Sequence, residues 1–432
     1  MSLKVMYIAL VAFAARGATT PDRVMDDKKI RTAVNCHLDE KCPSEDYYGA
    51  IGSWDTSRVT DMSELFCSHD LHDRHQEDEQ CAYHNDRASF FFGDDISSWN
   101  VAKVVSMKRM FRNTLVFNQP LNAWDVSRVT DMTSMFEGAQ TFKHPLNDWD
   151  VSNVVDMTNM FRYAIAFNQP LDNWDVRNVR HMDEMFSQAG LFDQPLFSDV
   201  GNVVSMPGMF QFAKRFNHPL ANWDVSKVTD MSFMFAYTER FDQQIGQWNV
   251  ARVKDFTYMF AGSKAFSQPL ESWNVANAKD MDSMFYSASV FDQPLAKWNV
   301  AKLGNSKSYT MDAMFAKASK FNQDLGWCLD KPEDAGFDTA FEGTACEGME
   351  KAYATWGCGV YKDPCSETML AARDADAIVT VRDADAVTVT VTALVAVCVL
   401  AGVALGGLAT LLAPKAKEPI EQEPLLAAAA KI

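Results

Sequence analysis

The sequence predicts an α/β solenoid, a right-handed stack of about ten coils of 25 residues each. In this fold every coil holds one short parallel strand and one short helix, disulfides cap both ends, and one C-terminal transmembrane helix follows. Three observations support the prediction: a phrase that returns every 25 residues, two groups of cysteines that flank the repeats, and a long uncharged segment near the C-terminus.

A tryptophan marks each copy of the repeat, and Trp124 and Trp149 lie 25 residues apart. One copy, at 197–204, has lost its Trp and one residue, so that 49 residues separate Trp174 from Trp223. We expect these indoles to form part of the core, because every copy keeps the same apolar positions. The row consists of Trp99, Trp124, Trp149, Trp174, Trp223, Trp248, Trp273 and Trp298.

Each copy contains two apolar patterns. The first has the spacing of a short helix, and its members are Val129, Met132, Met135, Phe136 and Ala139. The second, at 142–151, is short, extended and rich in turns, which predicts a brief strand and a corner. The connection to the next strand must cross over, so the strands should pair in parallel. One coil leaves its apolar faces uncovered, and only stacking buries them.

Two polar positions also recur. An Asp or Asn follows each Trp, such as Asp125 and Asn249, and is predicted to bond the backbone of its own turn. A pair of variable residues separates the Leu and the Trp of each copy, and we expect these pairs to stack into an exposed polar strip that binds a partner. The pairs are 122–123, 147–148, 172–173, 221–222, 246–247, 271–272 and 296–297.

The phrase "WDVSRVTDMTSMFEGAQTFKHPL", which begins at Trp124, resembles the 25-residue repeat of BspA-like leucine-rich-repeat surface proteins. The shared pattern is W-[DN]-V-x-x-V-x-x-M-x-x-M-F-x-x-A-x-x-F-x-x-P-L. The resemblance implies a leucine-rich-repeat-like solenoid on a cell surface, used for adhesion or binding, and it implies no enzyme. The chain departs from the bacterial lipoproteins of that family, because no Cys directly follows its signal segment.

The two ends of the chain predict a membrane protein. Residues 1–17 combine Lys4 with an apolar run and small residues, as a secretory signal peptide does. Residues 386–413 are 28 residues without a charge, enough to span a bilayer. The intervening parts are an N-terminal cap at 18–50, the repeats at 51–327 with a Cys-closed insertion near 67–90, a Cys-rich cap at 328–368, a linker at 369–385, and a tail at 414–432.

Positive charge after the span indicates a single-pass type I protein with its repeats extracellular or lumenal. Gly402 and Gly406 form a G-x-x-x-G that predicts a homodimer of the spans. In the tail, Glu421 with Leu425 and Leu426 resembles an acidic dileucine sorting signal, and the alternative is a solvated tail. The expected location is the plasma membrane, with endosomal or vacuolar membranes as the alternative.

Eight of the nine cysteines predict disulfides that clamp the ends of the stack. The two groups are too far apart along the stack to bridge, so pairing should stay within each group. Cys67 should pair with Cys81 and Cys36 with Cys42, while the C-terminal pairing stays open. The candidates are Cys36, Cys42, Cys67 and Cys81, then Cys328, Cys346, Cys358 and Cys365.

The insertion holds half of the histidines of the chain. His69, His72 and His75 fall at i, i+3 and i+6, so one helical face could bind zinc or copper. The same histidines could gain charge in an acidic compartment. The simplest interpretation is a solvated loop that a disulfide closes, and we expect no resident metal or other cofactor.

A net charge of −17 argues against nucleic acid as a partner. No Ser/His/Asp set, Cys/His set or glycine-rich phosphate loop is present in the sequence, so we expect no enzyme. The sequence favours a non-enzymatic cell-surface repeat protein that recognises an extracellular or lumenal protein or glycan. The alternative is a structural surface-coat protein that assembles with itself.

Overall fold

The computed structural model describes residues 22–39, 47–68, 81, 93–303, 310–329, 337–346 and 357–362. Its helices and strands are few and short. The first helix is Asp27–Leu38, a single turn of 3-10 helix is Ile51–Ser53, and a four-residue helix is Phe337–Ala340. A second 3-10 turn is Gly357–Gly359, and the strands Trp327–Leu329 and Val360–Lys362 pair in parallel.

The repeats lie on one another as stacked coils, and aromatic columns run through the core. Phe136 stacks on Phe161 of the next coil with ring centroids 5.6 Å apart and planes 3° apart. Trp248 and Trp273 stack at 6.5 Å in a second column. All eight tryptophans of the row are at most 5 % exposed: Trp99, Trp124, Trp149, Trp174, Trp223, Trp248, Trp273 and Trp298.

Each buried indole also ties its coil to the preceding one. The Nε1–H of Trp149 donates to the carbonyl oxygen of Leu121, 2.9 Å away, and Trp174 repeats the bond with Leu146. A buried N–H without an acceptor is costly, so this bond allows a polar ring to sit in an apolar column.

The shortened copy keeps the columns in register. The carbonyl oxygen of Phe197 replaces that of the usual Leu as the acceptor for the Nε1–H of Trp223, at 3.0 Å. Its ring also stacks on the Trp223 ring at 5.9 Å, in the column where a Trp is missing. An added backbone bond, from Leu171 N to Pro195 O at 3.0 Å, pairs the two coils there.

The predicted strand of each coil is wrong in extent, because the described repeats pair through isolated single-residue parallel bridges. Asp131 bridges to Asp156, and Asp156 bridges to His181. The chain enters a turn shortly after each bridge, so only one residue of each coil can pair with the next coil as a β-strand does. A right-handed path of the coils stays a prediction.

The predicted helix of each coil is also wrong, and consecutive turns take its place. Ser134 and Gly138 adopt left-handed φ values of 55° and 70°, which an α-helix excludes. Alternate N–H groups then point to the next coil, with Met132, Ser134, Phe136 and Gly138 as donors at 2.7–3.1 Å. A helix would direct these donors to its own carbonyl groups, and the coils would lose the bonds that join them.

The N-terminal helix covers the first coil. Asp26 caps it by accepting the N–H of Lys29 at 2.8 Å. The Asp27 carboxylate accepts the N–H groups of Thr60 and Asp61, which would otherwise form the unpaired edge of the stack. The buried side of the helix consists of Ile30, Ala33, Val34 and Leu38.

Within the described ranges, one disulfide lies near each end of the stack. Cys67 is bonded to Cys81, as predicted, and Cys346 is bonded to Cys358 within the C-terminal group. Cys36 is also disulfide-bonded. The residues Cys42 and Cys365 and the side chain of Cys328 lie outside the described part of the chain.

Within the ranges given above, no helix has both the length and the apolar character to cross a membrane. The predicted signal peptide and transmembrane segment lie outside those ranges, as do Gly402, Gly406, Glu421, Leu425 and Leu426.

Truncation of a core ring should weaken the stack strongly. Phe161 is fully buried and contacts Phe136, Phe167 and Phe186. We expect Phe161→Ala to lower the free energy of unfolding by about 3–5 kcal/mol, measured by denaturant titration, because it opens a cavity between coils. The exposed Lys143→Ala serves as the control and should change it by less than about 0.5 kcal/mol. Similar losses for both variants would contradict the assignment of the core.

Candidate binding surface

The consecutive turns form one face of the stack, which we call the turn face (positions 132–139 of the coil at Trp124 and their equivalents). Within it, the two left-handed positions, such as Asn159 and Tyr163, carry side chains away from the buried Met and Phe columns. Backbone bonds to the next coil hold these positions, so their side chains project from a rigid base. The residues at these positions differ from coil to coil, which makes the turn face the variable face of the stack.

The N-terminal half of the turn face is a ladder of ion pairs between coils. Glu137 lies between two arginines, with its carboxylate oxygens 3.0 Å from Arg112 Nε and 3.7 Å from Arg162 Nη1. Arg162 Nε also lies 2.9 Å from a carboxylate oxygen of Glu184. The Glu137 side chain is only 8 % exposed, and burial of a carboxylate requires such partners. These charges therefore link coils.

The C-terminal half of the turn face carries aromatic rings instead. Phe212 stacks on Tyr237 with centroids 4.6 Å apart, and Phe233 stacks on Tyr258 at 5.0 Å. Lys317 Nζ lies 4.9 Å from the centroid of the Tyr286 ring. All five rings are half-buried and lie outside the core columns. We call them the aromatic patch: Phe212, Phe233, Tyr237, Tyr258 and Tyr286.

A glycine provides the space for one ring of the aromatic patch. Gly262 occupies the position equivalent to Tyr237 on the next coil, with φ of +66°. A Cβ at Gly262 would lie 2.5 Å from Cδ1 of Tyr237, so the ring lies directly against this backbone. Ordinary side chains would displace it.

Carboxylates flank the aromatic patch. The N–H of Tyr258 donates to the carbonyl oxygen of Asp282 at 2.8 Å, which places Asp282 beside Tyr258 on the next coil. Burial raises the pKa of Asp282, and the Asp280 and Asp312 carboxylates raise it further. Burial also raises the pKa of Asp280, with Asp255 as a further cause. The patch therefore combines apolar ring faces with hydrogen-bond acceptors.

The predicted polar strip is present, but bonds between coils restrain it. Asn147 Nδ2 donates to Asp172 Oδ1 at 3.1 Å, and Asn147 Oδ1 accepts the N–H of Asn173 at 3.1 Å. Asn122 and Asp148 form an equivalent pair. Most of the hydrogen-bonding capacity of this part of the strip is therefore used within the stack.

The other predicted residues have structural roles or lie outside the described ranges. Asp125 Oδ1 accepts the N–H of Ser127 at 3.1 Å, and Asn249 Oδ1 accepts that of Ala251, as expected for turn-bonding residues. His69, His72 and His75 lie outside the described ranges. Among the residues that are described, no group of His, Cys, Asp or Glu could hold a metal ion.

Sequence reasoning missed the aromatic patch, although a signal for it exists. Tyr237 follows Phe212 by 25 residues, and Tyr258 follows Phe233 by 25. Aromatic residues at the repeat period, outside the invariant Met and Phe positions, predict rings that stack on one face of the coils.

The fold and this surface define a disulfide-clamped repeat protein whose coils share one core and differ on the turn face. Four segments match the family described as "Mycoplasma protein of unknown function, DUF285": residues 43–120, 79–199, 204–328 and 279–341. These segments cover more than half of the chain, which therefore belongs to the DUF285 family. Neither the curated proteins nor the solved structures contain a match.

The support of Tyr237 can be tested at Gly262. Gly262→Ala should lower the free energy of unfolding by about 1–3 kcal/mol, because the new methyl group meets both a left-handed φ and the Tyr237 ring. Gly190→Ala is the control, since a Cβ there meets no atom within 4 Å. Thermal unfolding compares the two variants, and equal stability would contradict the close approach.

The raised pKa of Asp282 gives a pH dependence of defined sign. Its pKa in the folded state lies above the value of about 3.9 in the unfolded chain, so ionisation of Asp282 opposes folding above about pH 3.9. Asp282→Asn should therefore raise the free energy of unfolding at pH 7, by less than about 1 kcal/mol because the group is partly solvated. The gain should disappear below pH 3.9.

Asp224→Asn is a control that should change the free energy of unfolding in the opposite direction. The Ser226 side chain and backbone N–H hold the pKa of Asp224 below its usual range, so its ionised form favours folding. This variant should lower stability at pH 7, and denaturant titrations across pH measure both. The same sign for both variants would contradict the assignment.

Proposed function

We propose that this chain is a non-enzymatic recognition protein of a cell surface, which binds protein or glycan through the aromatic patch. The observation that carries the proposal is a set of five half-buried rings on neighbouring coils, which the core does not require. Aromatic rings at a protein surface are enriched in binding sites, since they bury a large apolar area, and Tyr adds a polar hydroxyl group. The carboxylates of Asp280 and Asp282 add acceptors for hydroxyl or amide donors.

Rigidity of the patch supports this role. The N–H groups of Phe212 and Tyr237 donate to the next coil at 2.8 and 2.6 Å, and the rings stack on one another. Ordering flexible side chains on binding costs roughly 0.5–1.5 kcal/mol each. Rings that the fold already orders lose less freedom when a ligand docks.

Several features together support a surface location. The bonds Cys67–Cys81 and Cys346–Cys358 favour an oxidising compartment. With the signal peptide at 1–17 and the span at 386–413, they support a single-pass type I protein of the plasma membrane. The tail residues Glu421, Leu425 and Leu426 make endosomal or vacuolar membranes the alternative.

The type of leucine-rich repeat is also part of this proposal. We assign the repeats to the BspA-like leucine-rich-repeat type, on the pattern of Trp, Met and Phe in each copy. A solenoid of this type offers a long surface with a different set of side chains on each coil. A structural surface coat that assembles with itself is the competing function. A homodimer of the membrane spans at Gly402 and Gly406 would be compatible with either function.

The test uses the full chain, applied to arrays of purified glycans and of extracellular proteins. The double variant Tyr237→Ala/Tyr258→Ala should weaken binding of the ligand found there at least about tenfold, since two central anchors are lost. Tyr163→Ala is the matched control, because Tyr163 is exposed at the repeat position of Tyr237 on another coil.

Equal binding by the double variant and the wild-type chain would refute a role of the aromatic patch. Binding to no array member, together with self-association that the double variant retains, would favour the surface-coat function instead.

A further inference from the structure

A second surface feature lies at other positions of the same coils. A cleft of about 600 Å³ opens where four consecutive coils meet. We call it the basic cleft, and the residues that line it are Thr229, Arg252, Lys254, Asn277, Ala278, Lys279 and Lys302. Its volume falls within the range of small-ligand sites.

The four cations of the basic cleft are unusual in a chain with a net charge of −17. Arg252, Lys254, Lys279 and Lys302 are all exposed. Across the described ranges, the ion pairs of the stack involve other residues, such as Lys264 with Glu239 and Lys297 with Glu271. The Lys302 ammonium instead donates to Asn277 Oδ1 at 3.0 Å. Their positive charge is therefore available to a ligand.

The backbone fixes the spacing of these charges. The N–H of Lys254 donates to Thr229 O at 2.9 Å, and the N–H of Lys279 donates to Lys254 O at 2.7 Å. Lys254 and Lys279 thus occupy the same position on adjacent coils, roughly one strand spacing of 4.8 Å apart. Arg252 and Lys302 lie two coils apart in a parallel column. The result is a cluster of four cations in two neighbouring columns, with Asn277 between Arg252 and Lys302.

A small residue forms the floor of the cleft. Ala278 is 2 % exposed and occupies the repeat position that Val228 and Val253 hold in the two preceding coils and Leu303 in the next. This position belongs to the buried core of the stack, so the cleft has a packed apolar base beneath Lys254 and Lys279.

We propose that the basic cleft binds the anionic groups, sulfate or carboxylate, of a linear acidic polysaccharide. Two lysines at the coil spacing, with Arg252 and Lys302 beside them, match a polymer with regularly spaced anions. Asp255 and Asp280 directly follow Lys254 and Lys279, so the positive region is narrow. A single polysaccharide chain can lie within that region, whereas an anionic membrane or a nucleic acid would also meet the neighbouring carboxylates. This site is separate from the aromatic patch.

The test measures binding of the full chain to immobilised dextran sulfate, with uncharged dextran as the reference. We expect binding to dextran sulfate alone, weakened by salt. The double variant Lys254→Gln/Lys279→Gln should bind about tenfold more weakly, since each exposed ion pair contributes a few-fold in affinity. Lys103→Gln/Arg128→Gln removes the same charge from exposed positions of other coils, and should remain within about twofold of the wild-type chain.

A change in the buried base tests whether the cations alone carry the binding. Ala278→Val introduces the residue of the two preceding coils, so thermal unfolding and dextran sulfate binding should both stay close to those of the wild-type chain, because the backbone bonds that space the lysines are kept. Tyr237→Ala/Tyr258→Ala should leave dextran sulfate binding unchanged, which separates this site from the aromatic patch.

Three results would overturn the proposal. They are no binding to dextran sulfate, equal losses for the two charge variants, and a loss by Ala278→Val as large as that of Lys254→Gln/Lys279→Gln. Equally tight, Lys279-dependent binding to phosphatidylserine vesicles or to single-stranded DNA would overturn the assignment to a polysaccharide.

Discussion

The hydrogen bonds between coils are the constraint on which the rest of the structure depends. Met132, Ser134 and Phe136 each direct an N–H to the following coil, and equivalent residues continue the pattern along the stack. These bonds fix the rise of each coil, and the rise brings every Phe and Trp ring onto the equivalent ring of its neighbour. Apolar burial supplies most of the stability, but the backbone sets the register in which it occurs.

The same constraint separates the positions that must stay constant from those that can vary. Phe136 stacks on equivalent rings of both neighbouring coils, so a smaller residue there would open a gap, whereas Ser134 and Gly138 need only a backbone that tolerates left-handed φ. Glycine, asparagine, serine and tyrosine all occur at such positions in this chain. The turn face can therefore carry ion pairs on some coils and aromatic rings on others without a change of fold.

Much of the core was predictable from the sequence, because a residue that must meet its own equivalent repeats at the coil length. The columns of Trp and Phe follow directly from the 25-residue period, and the bond Cys67–Cys81 follows from the insertion. The helix was not predictable, since apolar residues at i, i+3 and i+7 suit a row of turns as well as a helix. Local spacing does not reveal whether an N–H bonds within its own coil or with the next one.

The surfaces were harder to predict for a related reason. The aromatic patch and the basic cleft depend on which variable residues become neighbours when coils stack, as Tyr258 and Asp282 do. The polar strip was predicted as a free surface, but Asn147 and Asp172 bond to each other across coils. The sequence identifies these residues as variable and polar. Only the structure of the stack shows which of them hydrogen-bond to each other and are therefore not free to bind a partner.

The coil that contains Phe197 is one residue short and has no indole, yet the columns pass through it without a break. Its coupling to the preceding coil uses a backbone bond at Leu171 in place of an indole bond. In a one-dimensional array each coil contacts only its neighbours, so a change of coupling at one junction need not alter the coils beyond it. The Phe columns cross this junction at 5.8 and 5.9 Å, so a coil can lose a residue and its indole while the rings on either side keep their stacking.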